Sequence, residues 1–172
     1  MPNTEDEKNH LTDELKDWLE NYLKKNFLVT HNISVEITTT NLNILQNEKI
    51  STLTNVNLMT FHPDILGILE HKKSKKVELV FIFRDTSTIG FTMIGEILLY
   101  SRLVNPKIVM MVSTKNLSDR VDEWINHKNK YDVIRFHNKK IIIFKWDSKT
   151  LSPDKYSITP IEAREDINQV KN

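Results

Sequence analysis

Residues 107–113, KIVMMVS, carry five apolar side chains in a row. A strand with one wet face alternates apolar and polar residues, so this short unbroken run reads as a strand buried on both faces. Such a strand needs other elements to cover its sheet. With 172 residues, 39% hydrophobic and 27% charged, the chain is read as one soluble α/β domain with a sizeable core.

The surrounding segments fill in that sheet. Leu11, Leu15, Trp18, Leu19, Tyr22 and Leu23 form one apolar helical face over residues 11–25. Thr12 is placed to cap this helix, with Asp13 and Glu14 at its positive end and Lys24 and Lys25 at its negative end. Residues 31–40 and 53–61 alternate and read as strands. Residues 64–70 and 76–84 make two more around the polar turn HKKSK. A helix over 88–104 contains only two charges, Glu96 and Arg102, and is expected to be buried on most sides. Gly90 and Gly95 fall inside it, and close packing against a sheet would explain them. A helix capped by Ser118 follows over 118–128, then a hairpin of 131–136 and 140–146 across HNK. The expected order is α-β-β-β-α-β-α-β-β, a mixed sheet flanked by helices, over residues 1–150. Residues 151–172 read as an extension with a short helix near 160–169, with Thr159 as cap, Pro160 at the first position and Glu162 completing a capping box. So short a helix either docks or frays.

Composition removes several classes of function. Without cysteine there are no disulfides, thiolate nucleophiles or cysteine zinc sites. The six histidines show no pair spacing suited to zinc, and His62 reads as a loop residue. A formal charge of +1 gives no global field for nucleic acid, so such binding must rest on local patches. The lysines of HKKSKK, Lys72, Lys73, Lys75 and Lys76, are the candidate patch. Neither a signal peptide nor a transmembrane segment is visible, so the expectation is a cytoplasmic protein.

Three landmarks point to a family. Pro63-Asp64 opens a strand, VELVFIFR ends an apolar strand in a charge, and IGEILLYSR (94–102) follows as a helix. In this order they resemble the PD-(D/E)xK nuclease superfamily, the restriction-endonuclease-like fold, over residues 11–113. That resemblance implies Mg²⁺-dependent cleavage of phosphodiesters, with carboxylates holding the metal and a lysine orienting water. If Asp64 faces residue 82, the turn is centred on Lys73 and Ile82-Phe83-Arg84 occupy the acid-x-lysine positions. Isoleucine binds no metal, and arginine is a fixed cation that is a poor substitute for a catalytic lysine. Glu70, six residues along the strand from Asp64, is about 20 Å away. Glu78 lies about 13 Å back from Ile82 along the same strand. Neither rescues the site. Glu96, twelve residues beyond Arg84, is the candidate for an acid that has migrated to the following helix. Pairing with Arg84 or Arg102 is its alternative role. Glu14 corresponds to an extra acidic ligand of some relatives, or to a charge stabilising a helix end. Asp64 either holds a metal or pairs with Arg84.

Asp64, Glu96 and Arg84 are therefore the candidate catalytic set, and Asp64, Glu96 and Glu14 the candidate metal set. The resulting expectation is a nuclease-fold protein that has lost catalysis and acts as a subunit or adaptor, with no cofactor, partnered by another protein or its own copy. An active Mg²⁺-dependent endonuclease using Glu96 and an unrelated α/β interaction domain are the alternatives.

Overall fold

The computed structural model describes residues 4–168 apart from Asn55. Helix α1 runs Thr4–Phe27 and is followed by strand β1, His31–Ile37. A one-turn helix α2, Glu48–Ser51, is capped by Asn47, whose side chain accepts hydrogen bonds from the backbone N–H groups of Lys49 and Ile50. Then come β2 (Ile65–His71), β3 (Val77–Asp85), α3 (Phe91–Val104) and β4 (Ile108–Ser113). Helix α4, Asp119–Asp122, continues as a π-helical turn over Glu123–His127. The chain ends through β5 (Arg135–Phe136), β6 (Lys139–Lys140), β7 (Ile142–Asp147), β8 (Ser152–Pro153) and α5 (Arg164–Asn168).

Six strands form one mixed sheet in the order β1-β2-β3-β4-β7-β8. β3, β4 and β7 run parallel at its centre, and the outer pairs are antiparallel. Both faces of this centre are covered, which accounts for the unbroken apolar run in β4. On one face, Leu15, Trp18, Leu19 and Leu23 of α1 bury Ile65, Leu69, Val80, Ile82, Met110 and Val112. On the other, Ile94 and Ile97 of α3 pack with Phe81, Phe83, Val109 and Met111. Gly67 is where α1 comes closest to β2: a Cβ there would meet Leu23 Cδ1 at 2.9 Å and Val80 Cβ at 3.1 Å.

Several expectations need correction. α1 begins upstream of residue 11, because residues 4–10 are all polar and apolar spacing cannot announce them. Thr12 is thus no cap but a buried residue inside the helix, 4% exposed. The described residues of 53–61 form no strand. Asn57 and the threonines favour turns, and a 3₁₀ turn occupies Val56–Leu58 while Met59 and Phe61 reach the core. The expected last hairpin shrinks to the two-residue ribbon β5–β6, and β7 leaves it to join β4 in parallel. Ser118 holds the cap position of α4 without a side-chain cap bond.

Pro160 takes an extended conformation before a 3₁₀ turn at Ile161–Ala163, so neither Thr159 nor Glu162 builds a capping box. Thr159 instead exchanges both backbone bonds with Ile143, at 2.7 and 2.8 Å. The C-terminal helix docks: Ile158 and Ile167 are fully buried against the α1 face. Residue 169 of the expected helix lies outside the described residues.

α3 is not buried on most sides. Phe91, Leu99 and Leu103 stand 37%, 56% and 48% exposed on its outer stripe. Gly90 lies at the cap position rather than inside, and open space surrounds both Gly90 and Gly95. Packing within the chain therefore does not explain Gly95. Gly95→Ala should raise stability by about 0.5–1 kcal/mol in urea unfolding, the ordinary helix-interior gain over glycine.

Candidate functional site

The site candidate lies where the chain bends into β2. Asp64 precedes the strand, its N–H donating to the Ile82 carbonyl at 2.9 Å and its carbonyl accepting from the Thr38 N–H at 3.1 Å. The Thr38 hydroxyl donates to the Pro63 carbonyl, so the Pro-Asp segment is held against the end of β1. Ile65 pairs with Ile82, one step from the expected register of Asp64 with Ile82. The shift arises at the turn, which closes with His71 opposite Lys76 and Lys75 in the left-handed region at φ 60°. An even loop of Lys72–Lys75 replaces the odd one centred on Lys73.

Asp64 and Arg84 meet as expected, while Ile82 is fully buried beneath α1. Asp64 Oδ2 accepts the backbone N–H of Arg84 at 2.8 Å. Arg84 Nε lies 3.4 Å from Oδ1, close enough for charge attraction. It is not aligned as a hydrogen bond, and Nε is buried without such a partner among the described residues. Burial pushes the Asp64 carboxyl above the ordinary aspartate range. The N–H and charge of Arg84, then the charge of His62, pull it back without overcoming that effect. The two side chains line a cleft of about 320 Å³ with Asn9, Thr12 and Asp13 of α1 and Thr38 and Thr39 beyond β1.

The other candidates are elsewhere. Glu96 sits on the exposed side of α3, the helix that packs on the face opposite α1, and accepts a 2.9 Å hydrogen bond from the Tyr100 hydroxyl. It pairs with neither Arg84 nor Arg102. Glu14 is committed inside the fold. Its side chain is 8% exposed, Oε1 lies 3.1 Å from His10 Nε2, and Oε2 accepts the Trp146 indole N–H at 2.6 Å. Glu14→Ala would strand that indole, which is 2% exposed, and should cost about 1–2 kcal/mol. Glu14→Gln keeps an acceptor and should cost less than half as much, so thermal unfolding of the two variants separates structural from metal-holding use.

Lys72, Lys73, Lys75 and Lys76 cap the far end of the hairpin, at the end of β2 away from Asp64. Three are engaged: Lys72 with the Leu28 carbonyl at 2.6 Å, Lys75 with Glu70 at 3.2 Å and Lys76 with Glu78 at 3.3 Å. Among the described residues, no group of three or more His, Asp or Glu side chains is placed to share a metal ion. Asp64 and Asp13 are the carboxylates that line the cleft, and this pair is a poor holder for a hard divalent cation. One Asp64 oxygen is taken by a backbone N–H, and the neighbouring charge is a guanidinium.

Sequence reasoning missed Asn9, Asp13 and Thr39 as cleft walls and Trp146 as the partner of Glu14. Glu14 and Trp146 are 132 positions apart, and nothing local in the sequence connects them.

Fold and cleft define a mixed α/β protein with a six-stranded sheet between helical layers. No protein-family model matches the chain, and no curated protein matches it significantly. Among the described residues, no helix is long and apolar enough to cross a membrane.

Proposed function

We propose that this chain is a nuclease-like α/β protein whose catalytic position is retired and which serves as a subunit or adaptor, with a place in nucleic-acid processing as the context. The observation that carries the reading is the bonding of Asp64. In a working site of this kind its carboxylate would face a second acid and share a metal ion with it. Here Ile82 supplies no ligand, and the backbone and guanidinium of Arg84 satisfy the carboxylate instead.

A partner-binding role is supported by the outer stripe of α3. Phe91, Gly95, Leu99 and Leu103 follow one another at four-residue spacing, and Phe91 meets the half-exposed Trp124 edge to face at 6.2 Å. Large apolar side chains gathered outside the core are characteristic of contact surfaces.

The test is an assay on single- and double-stranded DNA with Mg²⁺ and with Mn²⁺, which tolerates imperfect ligand sets. No appreciable cleavage is expected from the purified protein. Cleavage abolished by both Asp64→Ala and Glu96→Ala would overturn the reading and establish a migrated-acid endonuclease. Activity that survives both substitutions is either contamination, removed by further purification, or catalysis at another site of the chain, which would also overturn the reading.

A further inference from the structure

We propose that a second cleft, at the opposite end of β3 from Asp64, binds the phosphate group of a small organic phosphomonoester. This cleft of about 420 Å³ is walled by three lysines from three separate segments: Lys76 before β3, Lys107 before β4 and Lys139 in β6. Glu78 is the single acid among the residues that line it.

That carboxylate is already engaged by two of the lysines and approached by a histidine. Its Oε2 lies 2.6 Å from Lys107 Nζ and 3.7 Å from His31 Nε2, and its Oε1 lies 3.3 Å from Lys76 Nζ. Lys139 binds the turn after α3, donating to the Pro106 carbonyl at 2.6 Å and to Asn105 Oδ1 at 2.8 Å. These are neutral acceptors, so the lysine stays charged and its charge is not cancelled. The cleft therefore holds a surplus of two positive charges. Lys139 is itself partly buried, and its ammonium gives up its proton more readily than usual. Burial is the first cause, repulsion from Lys107 and Lys76 adds to it, and Glu78 opposes. Ammonium groups gathered with too little compensation favour an anion among them.

A phosphomonoester matches the surplus, since it carries between one and a half and two negative charges near neutral pH, about −1.5 to −2. Lysine serves phosphate as a point charge without demanding a fixed fork geometry. The floor indicates that the ligand is organic. Leu53, Met59, Leu79 and Leu103 also line the cleft, and Leu103 is left 48% exposed by the described residues. Part of Lys139's role is to cap the C-terminal end of α3, but Lys76 has no such duty and its side chain is 72% exposed beside the cleft. The inference is independent of the reading of Asp64 and stands or falls without it.

The experiment is a titration of the full ¹⁵N-labelled chain with phenyl phosphate and, separately, with inorganic phosphate, followed by backbone amide shifts. Saturable shifts should concentrate at residues 77–79 and at Asn105 and Lys107, with phenyl phosphate binding more tightly than inorganic phosphate because its ring covers the apolar floor. Lys139→Gln should weaken phenyl phosphate about tenfold, the loss of one charged contact. Lys76→Gln, at a largely exposed position, should weaken it in the same direction without endangering the fold. Lys128→Gln, outside the cleft, should leave it unchanged. Absence of saturable shifts up to about 10 mM ligand, an affinity too weak to represent a site, would overturn the proposal. Undiminished binding in both cleft variants would overturn it too. Equal affinity for the two phosphates would overturn the organic part of the ligand assignment.

Discussion

Removing residues 151–172 should lower the thermal midpoint by on the order of 10–20 °C, because this tail is built into the core. Ile158 and Ile167 are fully buried against Trp18, Phe144 and their neighbours. Burial of each is worth about 1.5–3 kcal/mol. The truncation also removes β8 and the two backbone bonds between Thr159 and Ile143, leaving β7 as a bare edge. Within the tail, Arg164 Nε and Nη2 donate to the carbonyls of Ile158 and Tyr156, at 3.2 and 3.1 Å, so the segment docks as a unit. Against a total stability of about 5–15 kcal/mol, a loss of this size leaves little margin. Ile167→Asp should reproduce much of the effect by placing a charge where the side chain is buried. A truncated chain that melts within two or three degrees of the full one would show that the tail contributes nothing to the core.

Arg84→Ala should cost about 2–3 kcal/mol at neutral pH. It leaves a mostly buried carboxylate with only the backbone N–H as a partner. The loss should also depend on pH, in a direction that follows from Asp64. Its carboxyl titrates above the ordinary 3.8 in the folded protein, so the protonated form is favoured by folding. That contribution is complete below the ordinary value and is lost as pH rises through the raised one. Without the guanidinium the folded value climbs further and the penalty at neutral pH grows. Urea unfolding of the variant and the parent should therefore differ least in acid and most at neutral pH. A difference that stays flat across that range would mean the two side chains are not coupled.

The parts of this molecule that could be read from its sequence are those with a long apolar period. α1, β2, β3 and β4 each carry one, and each formed, with boundaries displaced where polar residues extended the element. β5, β6 and β8 are two residues long and have no period to detect. α3 misled for a different reason: its apolar circumference described an outer surface as well as a core. At the site, Asp64 and Arg84 were legible because hairpin geometry places them together. Register was not, since one residue more or less in a polar turn leaves the composition unchanged and moves every cross-strand pair. Glu96 failed to reach Asp64 because the helix that carries it lies over the other face of the sheet, a matter of topology that no local pattern encodes.

The embrace of α1 by the last strands has a consequence for how the protein is made. Trp18 meets Phe144 edge to face at 5.5 Å and Trp146 edge to face at 5.9 Å, and shares its core with Ile158 and Ile167. A ribosome delivers the first helix long before these partners, at about 5–20 residues per second. Until then its greasy flank has only strands β1 to β4 to lean on, and the layer closes when residues 144–167 have left the exit tunnel. Birth of this fold is thus a race between translation of residues 144–167 and the appetite of neighbouring polypeptides for an unfinished hydrophobic seam.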